Sequence, residues 1–377
     1  CGLKSLSMNL PKVSSWSYTA SQGKRSELGF VGLYNLSCIC YMNAMLQQFY
    51  MTPTFRYGLL MADDGEAENI VPVEDKKIDV DDNLFHQLQK MFAFLDKSER
   101  RDYNPFEFCF SYKDHSGQPV NVMIQQDTKE FLDVFFDKIE RSLKPTPFRN
   151  ILYDVYGGKT INLIECSSCS NLRTSEDIFY NLSLEVKNLK NIGEGIEKFI
   201  TEDTISDYKC EKCLQKCDVY KRTLIKECPN VLIVHLQRII FDLDVLMNVK
   251  INSWYEFPQK LNLEEYTYSH YMKHHKNRNE KRVDPEDAEE MSTENLGIRG
   301  EHSYPMDSQL APESGPVPSE PSNPEPQPAS QPPKPVAPEE NFEYNLAGVI
   351  VHLGSADVGH YYSYINVNRN DPGRVKM

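Results

Sequence analysis

The sequence predicts an α+β fold, with helices gathered in the first 145 residues and sheet in the remainder. Apolar residues recur at helical spacing as far as Leu143. From about residue 150 the apolar runs turn short, β-branched or aromatic, and often alternate. Two Cys-x-x-Cys pairs sit among those strand-like runs, each able to place two thiolates at a tetrahedral metal ion.

Residues 1–28 are polar and mixed and predict an arm. Met42, Met45, Leu46 and Phe49 form a helical stripe, so a helix starts close to residue 40. Acidic residues crowd positions 62–82, which reads as a loop. Leu84, Leu88, Met91 and Leu95 give the next stripe; Phe131, Leu132, Phe135, Ile139 and Leu143 give another. Asp127 followed by Glu130 is a capping-box-like start for that helix. The runs at 161–164, 180–186, 231–236 and 344–352 predict antiparallel strands. Residues 270–340 differ in kind. Residues 301–340 hold 12 of the 23 prolines and few large apolar side chains, a composition that predicts disorder. Strand-like sequence resumes at Phe342, so this stretch reads as an insertion within one domain over 29–377.

A chain of 377 residues can bury a substantial core. It opens at Cys1 without an initiator methionine and is expected to be a piece of a longer protein. The net charge of −14 and a pI near 5.2 argue against nucleic acid as a partner. An acidic surface suits a basic partner and equally serves solubility. No stretch is apolar and long enough to cross a bilayer, and no signal peptide is read at the start. Ten cysteines without a secretory signal predict a reducing compartment, cytoplasmic or nuclear, in which clustered cysteines bind metal or act as nucleophiles.

Cys166, Cys169, Cys210 and Cys213 make up the two Cys-x-x-Cys pairs. Each pair can wrap two thiolates around one corner of a tetrahedral Zn²⁺, and two pairs close the shell of a structural site. Cys217 lies near enough to compete as a ligand, while Cys109 and Cys228 read as small core residues. Cys38 and Cys40 are the candidate nucleophiles. A thiol at a helix N-terminus gains from the macrodipole, which favours Cys40; Cys38, one step outside that turn, is the alternative. Among the nine histidines, His86 falls within a helix and His235 within a strand, and both read as structural.

Four stretches, in order, resemble the signature boxes of the ubiquitin-specific protease family. Residues 32–43, Gly-Leu-Tyr-Asn-Leu-Ser-Cys-Ile-Cys-Tyr-Met-Asn, are similar to its cysteine box. Gln125-Gln126-Asp127-Thr128-Lys129-Glu130-Phe131 resembles its Gln-Gln-Asp box. Lys250 running to Phe257-Pro258 resembles its palm motif, and Gly359-His360-Tyr361-Tyr362-Ser363-Tyr364 its histidine box. The continuation Gln47-Gln48-Phe49-Tyr50-Met51 looks most like the very large, fat facets-related members.

The resemblance implies a papain-like fold with a helical thumb at about 29–145, and a β-sheet palm and zinc-bearing fingers at about 150–269 and 341–377. It implies hydrolysis of the isopeptide bond at the ubiquitin C-terminus, with ubiquitin and ubiquitinated proteins as partners and Zn²⁺ held by the four paired cysteines. Only Cys40 aligns as nucleophile, with His360 as general base and Asn35 as oxyanion donor. His352 lacks the Gly-His-Tyr-Tyr context and is the weaker histidine. Asp127, with Gln126, Gly359 and Tyr361, would hold the ubiquitin tail. Ser37 and Ile39 replace the family's usual Gly and Thr, and no Trp follows His360 to mark the third triad member. Those departures carry an alternative, a weak or inactive ubiquitin-binding module.

Overall fold

The structure is a computed structural model that describes residues 23–76, 78–114, 116–280 and 342–367. The chain divides into two units, one of residues 1–271 with 342–377 and one of residues 272–341. Of the second unit only 272–280 is described, as part of a helix.

The first half is helical, as its periodicity predicts. β1 (Gly32–Leu33) leads to α1 (Cys40–Tyr50) and α2 (Pro53–Met61). β2 (Ile70–Val73) and β3 (Ile78–Asp81) form an antiparallel hairpin before α3 (Leu84–Lys97). β4 (Asp102–Tyr103) pairs in parallel with β1. α4 (Phe106–Ser111), α5 (Thr128–Leu143) and α6 (Ile151–Tyr156) complete this part. Pro53 occupies the first turn of α2, where its missing N–H costs nothing. Asn83 caps α3 by accepting from the Phe85 and His86 N–H groups at 2.9 and 3.3 Å. The apolar stripes of α1, α3 and α5 meet in one core. Phe49 stacks on Phe135 at 5.3 Å and meets Phe55 and Tyr156 edge-on. Each fully buried aromatic in this core contributes about 1.5–3 kcal/mol relative to exposure.

The second half runs through β5 (Gly158–Cys166), β6 (Leu172–Phe179), β7 (Leu182–Glu185), α7 (Ile192–Ile200), β8 (Asp203–Lys209) and β9 (Lys216–Glu227). β10 (Val234–Gln237), β11 (Ile239–Asp242), β12 (Met247–Lys250), β13 (Lys260–Asn262) and α8 (Tyr268–Glu280) follow. β14 (Glu343–Asn345), β15 (Gly348–Gly354) and β16 (Gly359–Ile365) end the described chain. The largest sheet has the antiparallel order β6-β5-β9-β8. Its buried apolar cluster is small, Ile161, Leu163 and Leu224, and β6 is exposed along most of its length. Burial alone holds this sheet weakly, so its far end needs another constraint.

Four expectations change. The acidic stretch at 62–82 is not all loop, because Val71 and Val80 face each other across the β2–β3 hairpin and Val80 is buried. The strands are not all antiparallel, since β10 runs parallel to β7 with α7, β8 and β9 in the crossover between them. Helix α8 carries regular structure beyond residue 270, where disorder is expected, while 281–340 lie outside the described residues. Within the arm 1–28 only residues 23–28 are described, and these are docked. The Arg25 guanidinium donates to the carbonyls of Leu95, Asp96 and Ser98 at the C-terminus of α3, where a cation is favoured.

His86 fixes the acidic stretch to α3. Its Nδ1 lies 3.0 Å from Asp81 Oδ2 and its Nε2 3.2 Å from Asp64 Oδ1. Burial opposes its charge, but the bonds to Asp81 and then Asp64 outweigh this and raise the imidazole pKa above the ordinary value. The folded state thus binds this proton more tightly than the unfolded chain. Its contribution is complete below about pH 6.5 and is lost as pH rises through the folded value. Thermal denaturation from pH 6 to 9 should show the decline, and His86→Asn should flatten it.

Candidate active site

Cys40 is the first residue of α1, and Ile39 before it is the N-cap. Ile39 is fully buried, and its side chain makes no capping hydrogen bond. The first N–H groups of α1 have no side-chain acceptor at the cap, and they are the donors an anion at a helix start uses. Cys40 itself is 5 % exposed.

The β15–β16 hairpin closes over this end of the helix. The Tyr361 backbone N–H donates to Cys40 Sγ at 3.3 Å. Gln48 Nε2 donates to the Tyr364 carbonyl at 2.9 Å, and a Cβ on Gly348 would overlap the Gln48 amide. Glycine there lets strand and helix meet.

Gln125, ahead of α5, ties the hairpin tip to the helical half. The Gly359 N–H donates to its Oε1 at 3.0 Å, and its Nε2 lies 3.2 Å from His352 Nε2. With the amide oxygen taken by Gly359, the amide nitrogen is the donor, and a flip would set donor against donor. His352 Nε2 therefore accepts, and the imidazole proton sits on Nδ1, which is buried and has no hydrogen-bond partner among the described residues. Burial pushes the His352 pKa down, with Lys250 adding to the shift and Asp127 opposing it. The His352 ring stacks on Tyr361 at 4.3 Å.

Asp127 is the N-cap of α5, and its Oδ1 accepts from the Lys129 and Glu130 N–H groups at 2.7 and 3.4 Å. Burial and then the Asp127 charge push the Tyr361 hydroxyl up to about 12. Gln126 Oε1 accepts from the Tyr41 hydroxyl at 3.1 Å. His360 follows Gly359 on β16, exposed, with its ring 6.5 Å from that of Tyr362. Among the described residues no hydrogen bond joins His360 to Cys40. Asn35 is exposed, and its amide makes no hydrogen bond there either. The fold thus brings Cys40, Gln125, Asp127, His352, Gly359 and Tyr361 together, and leaves Asn35 and His360 exposed and without a bond to the thiol. Ser37, where the family has Gly, is outside the left-handed region, so the glycine's freedom is not needed. Asp371, the one carboxylate side chain that follows His360 in the sequence, lies outside the described residues with its neighbours.

The family model of ubiquitin carboxyl-terminal hydrolases matches residues 31–372. The chain belongs to the ubiquitin carboxyl-terminal hydrolase family. It is 28% identical to ubiquitin carboxyl-terminal hydrolase 9X of Mus musculus over 95% of this chain and 14% of that protein. It is 31% identical to hydrolase 24 of Homo sapiens, over 93% of this chain and 12% of the relative. It is 30% identical to hydrolase puf of Drosophila melanogaster, over 93% of this chain and 8% of that one. The chain thus spans a small part of these long relatives. A solved structure of the SAGA Ubp8/Sgf11/Sus1/Sgf73 DUB module bound to ubiquitin aldehyde superposes with TM-score 0.58 at 20% identity, covering 89% of this chain and 62% of that one. The helical first half is the thumb of this hydrolase-family domain, the β15–β16 side its palm, and the β6-β5-β9-β8 sheet its fingers.

At the finger tip the sulfurs of Cys166, Cys169, Cys210 and Cys213 all lie within 4.8 Å of one another. The two turns are built alike. Ser170 N–H donates to the Cys166 carbonyl at 2.9 Å and Leu214 N–H to the Cys210 carbonyl at 3.0 Å. Ser170 and Leu214 both take positive φ, at 50° and 59°. Sulfur pairs at 3.7 Å (Cys169–Cys210) and 3.9 Å (Cys166–Cys213) match the edge of about 3.8 Å of a tetrahedron with metal–sulfur bonds of about 2.3 Å. The cluster therefore fits a tetrahedral metal ion.

Gln125 is open to a direct test. In Gln125→Leu the Gly359 N–H and His352 Nε2 both lose their partner. The variant's rate should fall about tenfold or more relative to the parent's. In Gln125→Glu one carboxylate oxygen still accepts from Gly359, and the other accepts from His352 once the imidazole proton moves from Nδ1 to Nε2, so this variant should keep more of the rate than Gln125→Leu.

Proposed function

We propose that this domain is a deubiquitinase that cleaves the isopeptide bond between the ubiquitin C-terminus and a substrate lysine. One observation carries it. In a member of this family, the buried Cys40 thiol at an uncapped helix start touches the strand that presents His360. In the proposed reaction His360 takes the Cys40 proton and the sulfur attacks the carbonyl carbon of the ubiquitin tail. The first-turn N–H groups of α1 and the unengaged Asn35 amide receive the oxyanion. His360 then protonates the departing lysine amine, and water hydrolyses the thioester. Asp127, Gln126, Gly359 and Tyr361 flank the path of the tail. Ubiquitin and ubiquitinated proteins are the proposed partners, and the cytoplasm or nucleus the proposed compartment.

A fluorogenic ubiquitin C-terminal amide tests the reading, which predicts release of the fluorophore. A second reading, a weak or inactive ubiquitin-binding module, is favoured by the absence of any orienting partner for His360 among the described residues. Ubiquitin binding without turnover, and without labelling of Cys40 by a ubiquitin C-terminal electrophile, would establish it.

We further propose that the four-thiol cluster holds one structural Zn²⁺. The finger sheet has little core, so metal binding is folding free energy there. Chelation should melt the fingers while the thumb retains its structure, as hydrogen exchange would report. Pure protein without zinc would reject the site.

A further inference from the structure

A fifth thiol stands beside the four. Cys217 lies on β9 opposite Tyr208 of β8, and its Sγ is 3.3 Å from Cys166 Sγ. That approach is closer than 3.9 Å for Cys166–Cys213 or 3.7 Å for Cys169–Cys210. Cys217 is outside the set whose sulfurs all lie within 4.8 Å of one another, and a tetrahedral ion takes only four. It is half-buried and reachable from solvent, whereas Cys166 is buried. The Tyr208 carbonyl, an acceptor for the Cys217 thiol, lies at 3.7 Å, farther than the Cys166 sulfur. Cys166 is paired with Val219, two residues along β9 from Cys217, so both sulfurs share one face of the sheet. The β8–β9 register slips between Ile205 and Tyr208, which gives this end of the strand room to adjust.

We propose that Cys217 and Cys166 form a reversible disulfide that releases the metal from the finger tip under oxidation. The oxidant is a peroxide. The Cys217 sulfur attacks one peroxide oxygen, the O–O bond breaks, and the products are a sulfenic acid and, after proton transfer, one water. The Cys166 sulfur then attacks the Cys217 sulfur and gives up its proton or its bond to the metal, the S–O bond breaks, and the departing hydroxide takes up that proton, or one from solvent, to leave as a second water. Two thiols and one hydrogen peroxide become one disulfide and two waters. The metal is left with three sulfurs. A dithiol reductant reverses the bond by exchange. The disulfide itself does not depend on the metal; only its consequence rests on the metal reading given above.

The experiment treats the purified, metal-containing chain with hydrogen peroxide. A chromogenic chelator follows zinc release while peptide mass spectrometry maps disulfides. The expected result is a Cys166–Cys217 cross-link that grows in step with zinc release, with both reversed by dithiothreitol and added zinc. Cys217→Ser should release zinc several-fold more slowly, and dithiothreitol should not restore what is lost. A cross-link between other cysteines in the unaltered chain overturns the proposal, as does reversible release at the parent rate in Cys217→Ser. Protein that contains no zinc but still forms the Cys166–Cys217 bond would reject the metal reading and keep the disulfide.

Discussion

Cys40→Ala is expected to abolish turnover on a ubiquitin C-terminal amide, while Cys38→Ala keeps most of it. Loss of a covalent nucleophile costs on the order of 10⁶ in kcat in a well-studied hydrolase, and a comparable loss is expected here. The two thiols stand in different surroundings. Cys40 opens α1 and receives the Tyr361 N–H. Cys38 lies outside the helix, its N–H bonded to the Val122 carbonyl at 2.8 Å and its sulfur beside Ser37 Oγ at 3.8 Å. Cys40→Ala should still bind ubiquitin, because the side chains flanking the tail path are untouched. Calorimetric binding alongside steady-state rates checks both halves. Death of the Cys38 variant with survival of the Cys40 variant would reverse the assignment.

Gly359→Ala should cost both stability and rate. A Cβ at this position would overlap the Leu353 carbonyl oxygen and His352 Nε2 across the hairpin. Either the strands part or His352 leaves its place, and in both cases the Gly359–Gln125 bond breaks. Overpacking costs about 1–3 kcal/mol. A drop of about 2–5 °C in melting temperature follows for a domain of this size. His360 is the next residue, so the group proposed as base moves with the strand. A displacement of about 1 Å costs about 10² in rate. Differential scanning calorimetry and kcat/KM of the same variant would separate the effects. An unchanged melting point with full activity would mean that the hairpin tip is not under the constraint drawn above.

Much of the thumb was legible in the sequence, because its core is local. The stripe Met42, Met45, Leu46 and Phe49 is buried, as are Phe131, Leu132, Phe135, Ile139 and Leu143. Asp127 caps its helix as the Asp-x-x-Glu spacing implies. The paired cysteines converge because each Cys-x-x-Cys turn is a local structure. What could not be read depends on register. That His352 lies opposite Tyr361, and so within reach of Gln125, follows from hairpin pairing that no periodicity records. The same holds for the parallel β7–β10 pair, which joins distant segments. Cys217 was legible as a neighbour of the cluster, but its approach to Cys166 rests on the β5–β9 register.

β13 and β14 pair antiparallel, Leu261 opposite Tyr344, with the whole of residues 263–342 between them. The two ends of that excursion thus leave the palm about 5 Å apart. For an engineer this is a port. A guest domain whose termini lie close together can be spliced there without prying the host strands open. Doubling the length of what is carried adds only about 0.6 kcal/mol of closure entropy.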